Sequence, residues 1–230
     1  MDMMLRTQYK LYDLTLGLFV AILMISNIAS TKLAMVGVFT LDGGTILFPL
    51  TYIFGDILTE IYGFRGARRI IWSGFGAIAL MAGVITIVGL LPSADGWIFQ
   101  ESYQNILMAT PRIVLASIVA YLVGSFMNSV VLSKIKVMTA GKHLWIRTIS
   151  STIVGQFFDT ALFVVIAFLG VFPMEVFWAL IISNYLFKCG IEVLLTPATY
   201  KVVDFYKRVE GIDVYDTDLK YNPFRISIYK

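Results

Sequence analysis

A chain of 230 residues that is 58% hydrophobic and only 14% charged, with a mean hydropathy of +0.81, lies far below the roughly 25% charge of soluble domains and reads as a membrane protein. Its length holds one compact membrane domain with short tails and excludes a separate soluble catalytic domain. The net charge of +3 is small, and a single cysteine, Cys189, excludes an internal disulfide and any Cys-based zinc cage.

About 20 apolar residues cross a hydrocarbon core, and six segments approach or exceed that length: 11–30, 45–62, 70–91, 113–133, 145–171 and 176–203. They predict an all-α, polytopic fold: one six-helix domain over 1–230, with 204–230 as a cytoplasmic tail. The first span follows a short basic head but outruns a secretory h-region and lacks a convincing cleavage site, so it reads as a retained helix. It ends in a mild polar stripe, Asn27, Ser30 and Thr31, with Lys32 at the outer boundary.

The second span carries Pro49, Tyr52, Asp56, Thr59 and Glu60. Asp56 and Glu60 are four residues apart and share one helix face. A charge at the bilayer centre costs at least about 2.5–3.5 kcal/mol, so such residues face a protein interior or a wet cavity. Pro49 marks either a kink or a helix start. The third span contains no charge and reads as scaffold. The loop between Pro92 and Pro111, with Trp97, Phe99 and Tyr103, belongs at an interface, where aromatic belts form.

The fourth span repeats small and polar groups at Ser117, Tyr121, Ser125 and Asn128, a pattern that tight helix packing also produces. In the fifth, Thr148, Ser151, Thr152, Gly155, Gln156 and Asp159 form a stripe at three- and four-residue steps, flanked by Phe157 and Phe158. The sixth places Asn184, Lys188 and Glu192 at four-residue steps ahead of Thr196 and Pro197. Lys188 can pair with Glu192 on its own helix, or cross the bundle to Asp56, Glu60 or Asp159.

Alternating the ends of six spans puts all but three of the 18 Lys and Arg residues on one side, the exceptions being Lys32, Arg112 and the intrahelical Lys188. The positive-inside rule therefore predicts that both termini are cytoplasmic. The first and last three helices then have opposite topology, which is compatible with a three-plus-three inverted repeat in which Gly55-Asp56 corresponds to Gly155-Gln156. Four carboxylates at depth, Asp56, Glu60, Asp159 and Glu192, outnumber Lys188. Some must be protonated, bridged by basic residues or matched by a cationic ligand, and one is expected to titrate during transport.

No catalytic residue, metal or cofactor is expected. The chain lacks a G-x-S-x-G elbow, a phosphate-binding G-x-x-x-x-G-K-[ST] loop and an H-E-x-x-H helix. His143 falls in a basic loop and reads as solvated. The loop charges are explained by topology and lipid headgroups without direct nucleic-acid contact. An intramembrane aspartyl protease built on Asp56 and Asp159 is the competing reading, but the residue contexts do not match those enzymes.

The chain resembles the queuosine-precursor transporters, also described as vitamin-uptake transporters. The resemblance is carried by SNIASTK at 26–32, FPLTYIFGDILTEIYG at 48–63 and the RGARR that follows, then by SSTIVGQFFDT at 150–160, KCGIEVLLTPAT at 188–199 and GIDVYDTDLKYNPF at 211–224. It implies a six-helix inner-membrane importer of 7-deazaguanine bases such as preQ0 and preQ1, precursors of a modified tRNA base. Asp159 or Glu60 would then accept the N–H edge of the base, Gln156, Asn27, Asn184 or Lys188 would donate to its carbonyl, and Phe48, Tyr52, Phe157 or Tyr185 would stack on it. Asp56 and Glu192 complete the expected substrate-binding set. Another vitamin or a purine-like solute remains an alternative cargo, with the chain as a transporter or as a substrate-capturing subunit. Without an ATP-binding motif, uptake is facilitated, ion-coupled or powered by a partner; a homo-oligomer is compatible with all of these.

Overall fold

The structure, a computed structural model, describes residues 9–36, 39–108, 111–170, 173–217 and 221–224. In chain order these form α1 (Tyr12–Ala29), β1 (Leu33–Val36), β2 (Phe39–Asp42), a 3-10 turn (Gly43–Ile46), α2 (Phe48–Leu90), α3 (Gln100–Leu107), α4 (Pro111–Met138), α5 (Leu144–Phe168) and α6 (Met174–Glu210). Of the basic residues used above for orientation, Arg6, Lys220, Arg225, Lys230 and the Arg112 side chain lie outside the described residues.

Among the described residues, four helices are long and apolar enough to cross a membrane: Tyr12–Ala29, Leu50–Leu90, Leu115–Met138 and Leu144–Phe168. Two of the expected spans, 45–62 and 70–91, are joined in α2. Pro49 lies in its first turn, where the missing N–H costs nothing, so the proline marks a start and not a kink. The helix breaks at Gly63, whose φ of 69° and ψ of −179° suit glycine almost alone.

Contacts with α1 show what that break does. Before it, Ser26 near the end of α1 donates to the Gly44 carbonyl at 3.2 Å, and Tyr62 packs edge-on against Tyr12 near its start, with ring centroids 4.9 Å apart. After it, Tyr12 donates to the Gly66 carbonyl at 3.0 Å, while a Cβ on Gly74 would come within 2.9 Å of Leu23. The chain runs down α1 and back up, so it reverses at Gly63. The residues on either side of the reversal are among the most deeply buried apolar ones described, including Ile57, Leu58, Ile61, Phe64 and Ile70.

Two glycines bring α4 and α5 together. A Cβ on Gly124 would meet Asp159 Cβ at 2.8 Å and the Gly155 carbonyl at 3.1 Å, and one on Gly155 would meet Asn128 Cβ at 2.8 Å. Small residues at such crossings let backbones approach where lipid offers no hydrophobic drive to associate. The outer face of the second half of α2 is apolar, with Leu80, Val84, Ile87 and Leu90 exposed.

Three features add to the expected plan. An antiparallel pair, β1 with β2, in register from Leu33↔Asp42 to Val36↔Phe39, joins α1 to α2. The loop after Pro92 contains α3, which Gln100 and Gln104 fasten to the Gly89 carbonyl at 2.9 and 2.8 Å. Finally, α6 continues past 203 to Glu210, through Pro197, and stops at Gly211 with φ of 67°. The chain beyond it folds back over the Gly63 reversal, with Val214 N–H donating to the Ile61 carbonyl at 3.4 Å.

Candidate functional site

Asp56 is fully buried, and its Oδ1 accepts from Asn128 Nδ2 of α4 at 2.7 Å. The other oxygen, Oδ2, has no partner among the described residues. Neither do Asn128 Oδ1, Thr152 Oγ1, both amide atoms of Gln156, Thr160 Oγ1 or Glu192 Oε2, all of them buried. A buried polar atom left unsatisfied costs about 1–3 kcal/mol. Several such atoms on α2, α4, α5 and α6 mark a place where water or a ligand completes the bonding.

The local sequence explains how these groups come together. Thr152, Gln156 and Thr160 lie at four-residue steps on one buried stripe of α5. The contact of Gly155 with Asn128 sets that stripe beside Asp56. Tyr52, one turn before Asp56, is within electrostatic reach of Asp56, Asp159 and Glu192, and Glu192 is within reach of Asp56. The layer is therefore rich in acceptors, and among the described residues no basic side chain pairs with Asp56 or Glu192.

An ion pair bounds this layer on one side. Lys188 of α6 donates to Asp159 of α5 at 2.8 Å, with about a fifth of each side chain exposed. Of the two arrangements open to Lys188, the structure has the one that crosses between helices.

On the other side, one turn from Asp56, Glu60 sits in a charge network. Arg147 holds it with two hydrogen bonds of 2.7 Å, Lys207 approaches at 2.9 Å and Lys136 at 3.5 Å. Lys136 also donates to the Glu60 carbonyl and to Asp213, which Lys207 contacts at 2.9 Å. Burial alone would raise the Asp213 carboxyl, but the hydrogen bonds from Lys136 and Lys207 hold it below the usual carboxylate value. Burial would likewise lower Lys207, and its bonds to Asp213 and Glu60 raise it instead.

Of the sequence-predicted site residues, Tyr52, Asp56, Gln156, Asp159, Lys188 and Glu192 therefore come together. Glu60 lies below them in its own network. Asn27 donates to the Leu23 carbonyl of its own helix at 2.8 Å. Asn184 is exposed, and Phe157 is 54% exposed, edge-on to Phe158 and Tyr185. The Phe48 side chain lies outside the described residues. Sequence reasoning left out Asn128, Arg147 and Lys136 as partners. The small-residue spacing of Gly124 and Asn128, matching Gly155, was the available signal for the first; the other two look like loop charges. Among the described residues no three His, Cys, Asp or Glu side chains converge as a metal ion would need. His143 is exposed at the start of α5.

Long apolar helices around a buried polar layer define a multi-pass membrane protein. Residues 42–202 match the family described as "Putative vitamin uptake transporter", and the chain belongs to that transporter family. It is 31% identical over 189 residues to the "Probable queuosine precursor transporter" of Bacillus subtilis, covering 80% of this chain and 82% of that one. It is also similar to a protein of the same description from Haemophilus influenzae, at 29% identity over 70% of this chain and 67% of the relative. The "Queuosine precursor transporter" of Escherichia coli matches at 27%, over 70% and 71%. No solved structure matches the chain.

Proposed function

We propose that this protein imports 7-deazaguanine precursors of queuosine, such as preQ0 and preQ1, across a bacterial inner membrane. The reading is carried by the chemistry of the buried layer. Its unpartnered atoms are six oxygens and one nitrogen among the described residues. A guanine-like edge is rich in N–H donors and offers one carbonyl, which complements that set: Asp56 and Glu192 accept, and Gln156 Nε2 donates. Tyr52 provides a ring beside these groups for stacking. The two carboxylates without a basic partner suit the ammonium of preQ1, or a proton carried with a neutral base. The three relatives are each described as transporters of a queuosine precursor, which supports the same class of cargo.

Six crossings with cytoplasmic ends follow from the same picture. The reversal at Gly63 makes two passes of α2. The 37 residues of α6 reach about 55 Å at 1.5 Å per residue, more than the roughly 30 Å of hydrocarbon. The basic residues then gather on the side of the tail.

Purified protein should bind labelled preQ1 without altering it. Gln156→Ala and Asp56→Asn should each weaken binding at least about tenfold, the equivalent of one charge-assisted hydrogen bond. Leu194→Ala, on a side chain 78% exposed on the outside of α6, should leave binding unchanged. In cells unable to make the precursor, the same two variants should abolish rescue of modified tRNA. Normal rescue by both, or chemical conversion of the ligand, overturns the assignment.

A further inference from the structure

The two sides of the polar layer are closed very differently. On one side stands the single Asp159–Lys188 pair. On the other, the Glu60 carboxylate of α2 gathers Lys136 of α4, Arg147 of α5 and Lys207 of α6, one cation from each neighbouring helix. A strap made of residues 211–217 and 221–224 covers that network from outside. Asp213 takes Lys136 and Lys207, and Asp216 accepts from the Phe64 N–H at 2.7 Å and from Ser133 at 2.5 Å. Arg68 and Trp72 each donate at 2.8 Å, to the carbonyls of Asn222 and Pro223. The Tyr215 hydroxyl lies where a Cβ on Gly141 would be.

The charges in this assembly are interdependent. Three cations face two carboxylates, so when Asp213 leaves, Glu60 alone must hold three mutually repelling basic groups. The Asp213 side chain is 36% exposed; of its partners Lys207 is 27% exposed and Lys136 is buried. Asp213 is the most exposed member of the network, so the strap can detach without dismantling the buried Glu60–Arg147 pair, and its detachment leaves Lys136 of α4 and Lys207 of α6 repelling each other around Glu60.

The geometry points to a latch: the strap, through Asp213, keeps the tail-side exit of the polar layer shut, and its release lets cargo leave on that side. This inference rests on the transport reading above and adds the element that regulates the same site. Asp213 acts as a positioning residue, since it reaches the layer only through Lys136 and Lys207.

Accessibility from each side tests it in the full chain. Thr148 is 2% exposed, one residue from Arg147 and on the layer side of the network. A Thr148→Cys reporter in a Cys189→Ser background is labelled with a membrane-impermeant maleimide in vesicles of both orientations. Proteolysis of a C-terminal tag identifies the tail side. Asp213→Asn should raise labelling from the tail side about tenfold or more, as expected if it shifts a closed–open equilibrium. Labelling from the opposite side should not change, and Asp213→Glu should restore slow labelling. An unchanged tail-side rate, or an equal rise from both sides, overturns the latch, the latter because it reports general loosening. Binding of preQ1 is measured on the same preparations. If preQ1 does not bind while the one-sided rise occurs, the latch stands and the cargo assignment falls. If preQ1 binds and labelling does not move, the latch alone falls.

Discussion

Asp56 and Glu60 are separated by one helical turn on the same face, yet their surroundings differ sharply. Glu60 is met by Arg147, held in bidentate fashion, while Asp56 meets only the amide of Asn128. The pair of carboxylates is legible in the sequence from its spacing; their partners are not. Arg147 and Lys136 sit near helix ends, where they count as loop charges, but both fold inward and are buried. Removing Arg147 takes the bidentate partner from a buried carboxylate but leaves Lys207 and Lys136 beside it, so Arg147→Ala should cost about 1.5–3 kcal/mol of stability. Arg147→Lys should recover only part of it, because the fork is lost. By contrast, Lys188→Ala breaks a pair about a fifth exposed and should cost about 1 kcal/mol or less. Thermal unfolding in detergent, comparing the three variants, measures this order directly.

At the scale of elements, apolar run length alone reveals the helical plan, because four of the long helices coincide with the hydrophobic segments. Their junctions are less readable. Gly63 to Gly66 suggests a turn, but the chain reverses with only Gly63 leaving helical dihedrals. The extent of α6 escapes a hydropathy reading, since Lys201, Asp204, Lys207 and Arg208 resemble a tail; with no glycine between Gly190 and Gly211, the helix runs on to Glu210. Any side chain at Gly63 meets both a disfavoured backbone conformation and the strap, with a Cβ 2.9 Å from Val214. Gly63→Ala should therefore destabilise by about 1–3 kcal/mol and expose the tail to protease. Gly76, where a Cβ meets nothing within 4 Å, is the control: alanine there should be neutral or slightly stabilising.

At the scale of the whole molecule, the docked tail links stability to pH through Asp213 and Lys207. Asp213 is held below its ordinary value, so its contribution is complete above about pH 3.9 and disappears as pH falls through its depressed native value. Lys207 is raised, so its contribution is complete below about pH 10.4 and disappears as pH climbs through its elevated native value. Tail protection should consequently be flat across the neutral range and fail at both extremes. Limited proteolysis with acid- and alkali-active proteases reads this out; a steep loss of protection between about pH 6 and 8 would contradict it.

The glycine contact between α4 and α5 has a mechanical consequence. With Gly124 and Gly155 carrying no side chains between the two backbones, there is no room for that pair to slide and no lever to pry it apart. The two helices are packed as one stiff plank. On the transport reading proposed above, a motion that uncovers Gln156 comes from α2 or α6 travelling across it, which would draw Asp56 and Glu192 away from Gln156.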